Sequence, residues 1–126
     1  MLKGSRLVGF VATADAARAR AFYRDTLGLE QVEDNGYSLV FNAGDTRLRV
    51  QRVETVAPHV YTALGWDVED IVSTVRSLAG RGVAFLRVTG LPQDDDGIWH
   101  IPDGSMVAWF HDPDGNTLSL GQHPAG

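Results

Sequence analysis

The sequence predicts an α+β domain of two tandem βαβββ modules. Their sheets are expected to curve into an incomplete barrel around a cavity, with the helices outside. Three observations predict this. The order strand, helix, several short strands occurs twice in 126 residues. Each helical stretch shows apolar residues on one face only and ends at a glycine. The strand candidates are separated by compact turn signals, "DNG", "AGD", "PDGS" and "DPDGN". A helix covering one face of each sheet leaves the other face to line a cavity. The expected organisation is one domain over residues 1–126, with module 1 at about 5–56 and module 2 at about 61–123.

The elements follow in order. "RLVGFVATA" is β-rich and ends at Asp15, an N-cap candidate. "ADAARARAFYRDTLG" then reads as helix, with Ala19, Phe22, Tyr23 and Leu27 near helical spacing and Gly28 as its stop. "LEQVED", "YSLVFNAG" and "TRLRVQRV" are strand candidates. "TVAPHV" is the connector between modules. "YTALGWDV" opens the second module as a strand. "EDIVSTVRSLAGRG" is its helix, with Ile71, Val75 and Leu78 on one face and Gly82 after it. "VAFLRVTG", "GIWHI", "MVAWFHD" and "TLSLGQ" complete the list as strands.

The final turn has a physical account. Pro113 presets φ at a central turn position, Asp112 can accept backbone N–H groups, and Gly115 and Asn116 tolerate positive φ. The turn sets the register of "TLSLGQ". With Leu118 and Leu120 toward the helix, Thr117, Ser119 and Gly121 face the other side. Alternation likewise puts Trp109 opposite Phe110, and Arg47, Arg49 and Gln51 opposite Leu48 and Val50.

Composition bounds the function. Hydrophobic residues are 44% and charged residues 21% of the chain, enough for a core. A net charge of -5 and scattered arginines argue against nucleic acid or an anionic membrane as partner. The chain has no cysteine, which excludes disulfides, thiol catalysis and thiolate metal sites. The apolar stretch from Leu7 to Ala12 is too short for a signal peptide core, and no run approaches a membrane span. The expectation is a soluble, cytoplasmic protein.

Three stretches together resemble the vicinal oxygen chelate superfamily of glyoxalase I, bleomycin-resistance proteins and extradiol dioxygenases. They are "DAARARAFYRDTLGLE", "LGWDVEDI" and "DPDGNTLSL". The resemblance spans nearly the whole chain and implies the fold described above. In metal-dependent members, His, Gln or Glu occupies four places on the concave face, and the bound ion polarises a substrate oxygen. By resemblance these places fall at Val8, at Gln51 on the strand that also carries Arg49, at Ala63 beside Thr62, and at Ser119. Gln51 is the one good ligand among them, and a register slip to Leu7, Thr62 or Leu118 supplies no better one. No metal and no other cofactor are therefore expected. The histidines His59, His100, His111 and His123 read as surface residues, with His123 and the closing "HPAG" loosely held after the last strand. Asp94–Asp96 reads as a solvated turn.

The functional expectation is a metal-independent small-molecule binding protein of the bleomycin-resistance type. It would sequester an aromatic or polar-aromatic ligand, as in antibiotic resistance, at a homodimer interface as the resemblance implies. Candidate ligand-binding residues are Phe10, Arg49, Gln51, Trp99, Trp109 and Ser119. The aromatic residues would supply walls, and Arg49 and Gln51 would anchor an anionic or carbonyl group. Two alternatives stand beside it. One is an enzyme of the superfamily using a divalent metal at another site, or none, for which no catalytic residue is assigned. The other is a dimeric interaction module without a ligand.

Overall fold

The computed structural model describes residues 1–124. The chain forms two compact units that divide between Pro58 and His59. Each repeats the predicted order.

In the first unit, β1 (Val8–Thr13) leads to helix α1, which is α-helical over Ala16–Arg20 and π-helical over Ala21–Thr26. Asp15 caps the helix by accepting a hydrogen bond from the Arg18 amide. The wider winding shows in the Leu27 amide, which donates to the Phe22 carbonyl, and glycine 28 ends the helix at φ +76°. Strands β2 (Glu30–Asp34), β3 (Ser38–Ala43) and β4 (Thr46–Arg52) complete a sheet of order β1-β4-β3-β2. β1 pairs with β4 in parallel. Ala19 and Tyr23, four residues apart, are fully buried, and Tyr23 meets Phe41 at a ring-centroid distance of 5.9 Å. Phe22 and Leu27, expected beside them, are only half-buried, because the π-turn rotates the face that a regular helix would present.

In the second unit, β5 (Leu64–Asp67) precedes α2 (Ile71–Gly80), and β6 (Trp99–His100), β7 (Met106–His111) and β8 (Thr117–Gln122) follow. The sheet order is β5-β8-β7-β6. α2 buries Ile71, Val75 and Leu78, as its spacing predicts. On the sheet, Ala108, Phe110, Leu118 and Leu120 are buried. Full burial of such side chains contributes ~1.5–3 kcal/mol each.

Three expectations are corrected. The run 83–90 is not a strand; it touches the sheet through an isolated bridge, Phe85 to Phe110. Side chains take over its backbone groups, as described below. The strand predicted from Tyr61 begins only at Leu64, because Thr117 Oγ1 holds the His59 carbonyl at 2.9 Å and keeps the connector out of the ladder. Asn116 does not adopt positive φ; Gly115 does, at 86°. Asn116 instead donates its amide to buried Asp112, whose other oxygen accepts the Asp114 and Asn116 backbone N–H groups. Gln122 is the last residue of β8, as the predicted strand has it, and its side-chain oxygen caps α2 at the Ile71 amide, 2.8 Å away. Of the "HPAG" end, Ala125 and Gly126 lie outside the described residues, and His123 Nε2 lies 3.4 Å from Asp67.

Among the described residues, no helix is long and apolar enough to cross a membrane.

Candidate functional site

The site is best built from the second sheet, on the face turned away from α2. Register fixes what that face carries. Trp109 pairs with Ser119, Ser119 with Gly65, and Val107 with both Gly121 and Trp99. These residues alternate with the buried set Ala108, Phe110, Leu118 and Leu120, so the predicted inside–outside assignment of Trp109 and Ser119 holds. The rings of Trp99 and Trp109 stack at 6.1 Å with 22° between their planes. Gly65 leaves Ser119 its space: a Cβ at position 65 would lie 2.7 Å from the Ser119 hydroxyl oxygen.

A cleft of ≈ 330 Å³ opens at the Trp109 end of this face. Trp109 and Thr117 come from the sheet, Val60, Tyr61 and Thr62 from the connector, and Leu86, Val88 and Leu91 from the segment that replaces the expected strand. Its lining contains two aromatic rings, four aliphatic side chains and two threonines, without a carboxylate or basic group. The His59 ring stacks on Tyr61 at 4.9 Å. The connector is tied down by the Thr117 hydroxyl and by the Ala63 amide, which donates to the Thr117 carbonyl. Only Trp109 of the predicted ligand-binding residues lines this cleft directly. Trp99 braces it from behind, and Ser119 lies beside Trp109 on the same face.

Sequence reasoning missed the connector and the 86–91 wall. A signal existed for the first: "HVYT" places exposed apolar residues after a proline in a linker, where Val60 and Tyr61 are 96% and 66% exposed. For the second, strand-like composition hid the loop.

The other three candidates belong to the first sheet. Phe10 pairs with Arg49 across β1 and β4, and Ala12 with Gln51, so Phe10, Arg49 and Gln51 share the face opposite buried Val11, Leu48 and Val50. Phe10 is 58% exposed. Val8 occupies the same face of β1 by alternation.

The acidic turn is more organised than a solvated loop. Asp94 accepts the Asp96 and Ile98 amides on one oxygen, and His100 Nε2 lies 2.8 Å from the other. Burial pulls the Asp94 carboxyl upward. The His100 contact and the two amides outweigh it and leave the pKa below the usual carboxylate range. Asp96 pairs with Arg76 of α2 at 3.2 Å. Among the described residues no three His, Asp or Glu side chains converge in a way that could hold a metal ion.

This architecture is matched by comparison with known proteins. The chain belongs to the Glyoxalase/Bleomycin resistance protein/Dioxygenase superfamily, whose family model matches residues 6–120. No curated protein sequence matches it. Among solved structures, a superfamily member from Sphaerobacter thermophilus DSM 20745 is similar at a TM-score of 0.76 and 24% identity, covering 98% of this chain and 100% of that one. TnmS3, an antibiotic binding protein from Streptomyces sp. CB03234, is similar at 0.72 and 24% identity, covering 99% of both chains. A lactoylglutathione lyase from Agrobacterium tumefaciens is similar at 0.73 and 19% identity, covering 94% of this chain and 93% of that one.

Proposed function

We propose that the protein is a metal-independent binder of small molecules, which holds the flat, uncharged part of an aromatic ligand in the cleft beside Trp109. The observation that carries this reading is the lining itself: Trp109 and Tyr61 supply ring surfaces, aliphatic residues supply the remaining wall, and the polar groups are two hydroxyls. A buried charge on the ligand would find no partner there. One structural relative with the same fold is an antibiotic binding protein, which accords with this ligand class.

The donor set does not suit a divalent ion at the superfamily's usual places. The Val8 and Ala63 side chains offer no lone pair, and Ser119 supplies a neutral hydroxyl in place of a carboxylate. Gln51 alone is an ordinary oxygen donor. We therefore assign the aromatic wall, Trp109 with Trp99 behind it, as the binding element, with Ser119 as a polar neighbour. Phe10, Arg49 and Gln51 form a second candidate surface on the first sheet. The reading includes a homodimer, which light scattering on the eluted protein measures.

Titration with 1-naphthol, followed by tryptophan emission and calorimetry, tests the reading. Saturable binding is expected, with 1-naphthalenesulfonate binding more weakly. Trp109→Ala should weaken naphthol binding about tenfold, the loss of one ring contact and its buried area. EDTA should leave binding unchanged. Protein purified without added metal that holds about one equivalent of a divalent ion, or EDTA-sensitive turnover of a carbonyl substrate, would sink the proposal.

A further inference from the structure

Residues 83–90 were expected as a strand; with the following turn they instead form an irregular segment whose Leu86, Val88 and Leu91 make one wall of the cleft. The backbone groups that a neighbouring strand would satisfy have to be paired elsewhere. One side chain takes three of them. The Gln93 oxygen accepts the Val88 amide at 2.6 Å. Its NH₂ group donates to the Leu86 carbonyl and to the Gly97 carbonyl, both at 2.8 Å. A primary amide has one acceptor group and two N–H donors, so this arrangement uses both kinds fully. Acceptance from residue 88 and donation to residue 86 occupy two backbone groups that a neighbouring strand would otherwise pair.

Further contacts hold the same loop. Arg87 donates to the Asp94 and Asp95 carbonyls. The Leu86 amide reaches the Trp109 carbonyl at 2.8 Å, which docks the segment on β7 beside the cleft. Among these contacts, the Gln93 side chain is the one that binds the wall segment's backbone both as acceptor, from Val88, and as donor, to Leu86. Leu86, Val88 and Leu91 present the apolar surface of the cleft.

We infer that Gln93 is a positioning residue for the ligand cleft: its side-chain amide substitutes for a missing strand and holds the 86–91 wall in its binding shape without touching the ligand. This inference rests on the proposed cleft as the binding site. Gln93 does not line that cleft. Its effect on affinity would come from preorganisation, since a wall that must be ordered on binding lowers affinity by the ordering cost.

Three proteins of nearly equal side-chain size test it: wild type, Gln93→Glu and Gln93→Leu. The glutamate keeps an acceptor for the Val88 amide and loses both donors. The leucine loses all three bonds. Hydrogen exchange is read by peptide on residues 83–98, with α2 and β8 as internal controls, and 1-naphthol affinity is measured alongside. Protection in 83–98 should fall by at least about tenfold in Gln93→Leu and by an intermediate factor in Gln93→Glu, with the controls unchanged. Naphthol affinity should fall in the same order. Unchanged exchange in both variants overturns the inference, as does an equal loss in both, which would reflect volume or global stability. If Gln93→Leu unfolds, Gln93→Glu decides alone by whether its loss is confined to 83–98. Naphthol binding that stays at the wild-type level while the wall loosens also overturns it. Failure of the wild type to bind naphthol overturns the cleft reading and with it the ligand role of Gln93. The exchange result then still reports whether the amide replaces the strand.

Discussion

The two units solve the same topological problem with different materials. The first builds four strands of at least five residues, with one register shift between Gln31 and Glu33, and closes its last hairpin with a two-residue link, Gly44 and Asp45. The second has a β6 of two residues, a side-chain amide in place of a strand, and a five-residue turn organised by Asp112. Where the ladder is continuous, the backbone fixes the shape and side chains are freer to vary. Where it is broken, individual polar side chains become structural, and the surface they hold can take the form of a cleft.

Core substitutions should show the least difference between the units and the largest effects. Phe41→Ala and Phe110→Ala each remove a fully buried ring on the helix-facing side of a sheet. Each is expected to cost ~3–5 kcal/mol in urea unfolding. A loss below about 1 kcal/mol at Phe110 would show that the second core tolerates collapse and would break the parallel.

The hairpin turns should separate the units more sharply. Asp112→Ala removes the acceptor of two backbone amides and the Asn116 side chain in a buried turn, and is expected to cost ~2–3 kcal/mol. Asp45→Ala, at the tip of the exposed first-unit hairpin, should change stability by less than ~0.5 kcal/mol. Equal losses at the two positions would contradict the distinction drawn here.

The helix caps offer a matched pair. Asp15 accepts the Arg18 amide and Asp70 accepts the Ser73 amide, each at 3.1 Å. Alanine at either position should cost about 1 kcal/mol. A smaller loss at Asp70 is the sharper outcome, because Gln122 also serves the first turn of α2.

Acid titration should give the smallest effect. In the first unit, Asp34 accepts the Gly36 amide and pairs with Arg52 and Arg20; the amide lowers its pKa most, burial opposes it, and the arginines add to the lowering. Asp94 of the second unit is lowered as well, for the reasons given above. A carboxylate with a depressed folded pKa adds stability that is present above its unfolded pKa, near ~3.9, and is lost as pH falls through the lower folded value. Urea midpoints should therefore decline below about pH 4, and Asp34→Asn and Asp94→Asn should each flatten that decline. A variant whose acid limb is as steep as the wild type's would remove that carboxylate from the account.

Much of this was legible in the sequence, for reasons that can be named. Alternation is a property of the strand backbone, so the facing of Trp109, Ser119, Arg49 and Gln51 followed once the turns had set the register. The α2 face of Ile71, Val75 and Leu78 followed from helical geometry. The cleft did not, because its walls depend on long-range side-chain bonds. "VAFLRVTG" has strand composition, and nothing local says that Gln93 will take its backbone partners. Nor does "PHVYT" say that Thr117, on β8, will hold the His59 carbonyl. The π-turn in α1 was hidden for a similar reason: Ala, Arg and Phe suit either winding.

The Gln122–Ile71 bond has a consequence for the order in which the protein is assembled. β5 pairs only with β8, and α2 receives a cap from β8, so the second unit's opening elements wait for its last strand. The first unit closes once β4 and the residue after it are available, since the last backbone bond of β1 runs from the Val53 amide to the Thr13 carbonyl. During synthesis at ~5–20 residues per second, the first sheet thus has a lead of several seconds. From the synthesis of Gly80 until that of β8, α2 and the "LGWD" strand wait with an apolar face that the last strand has yet to cover. A ribosome stalled before Ser119 would leave β5 without its partner strand and that half of the chain unable to close.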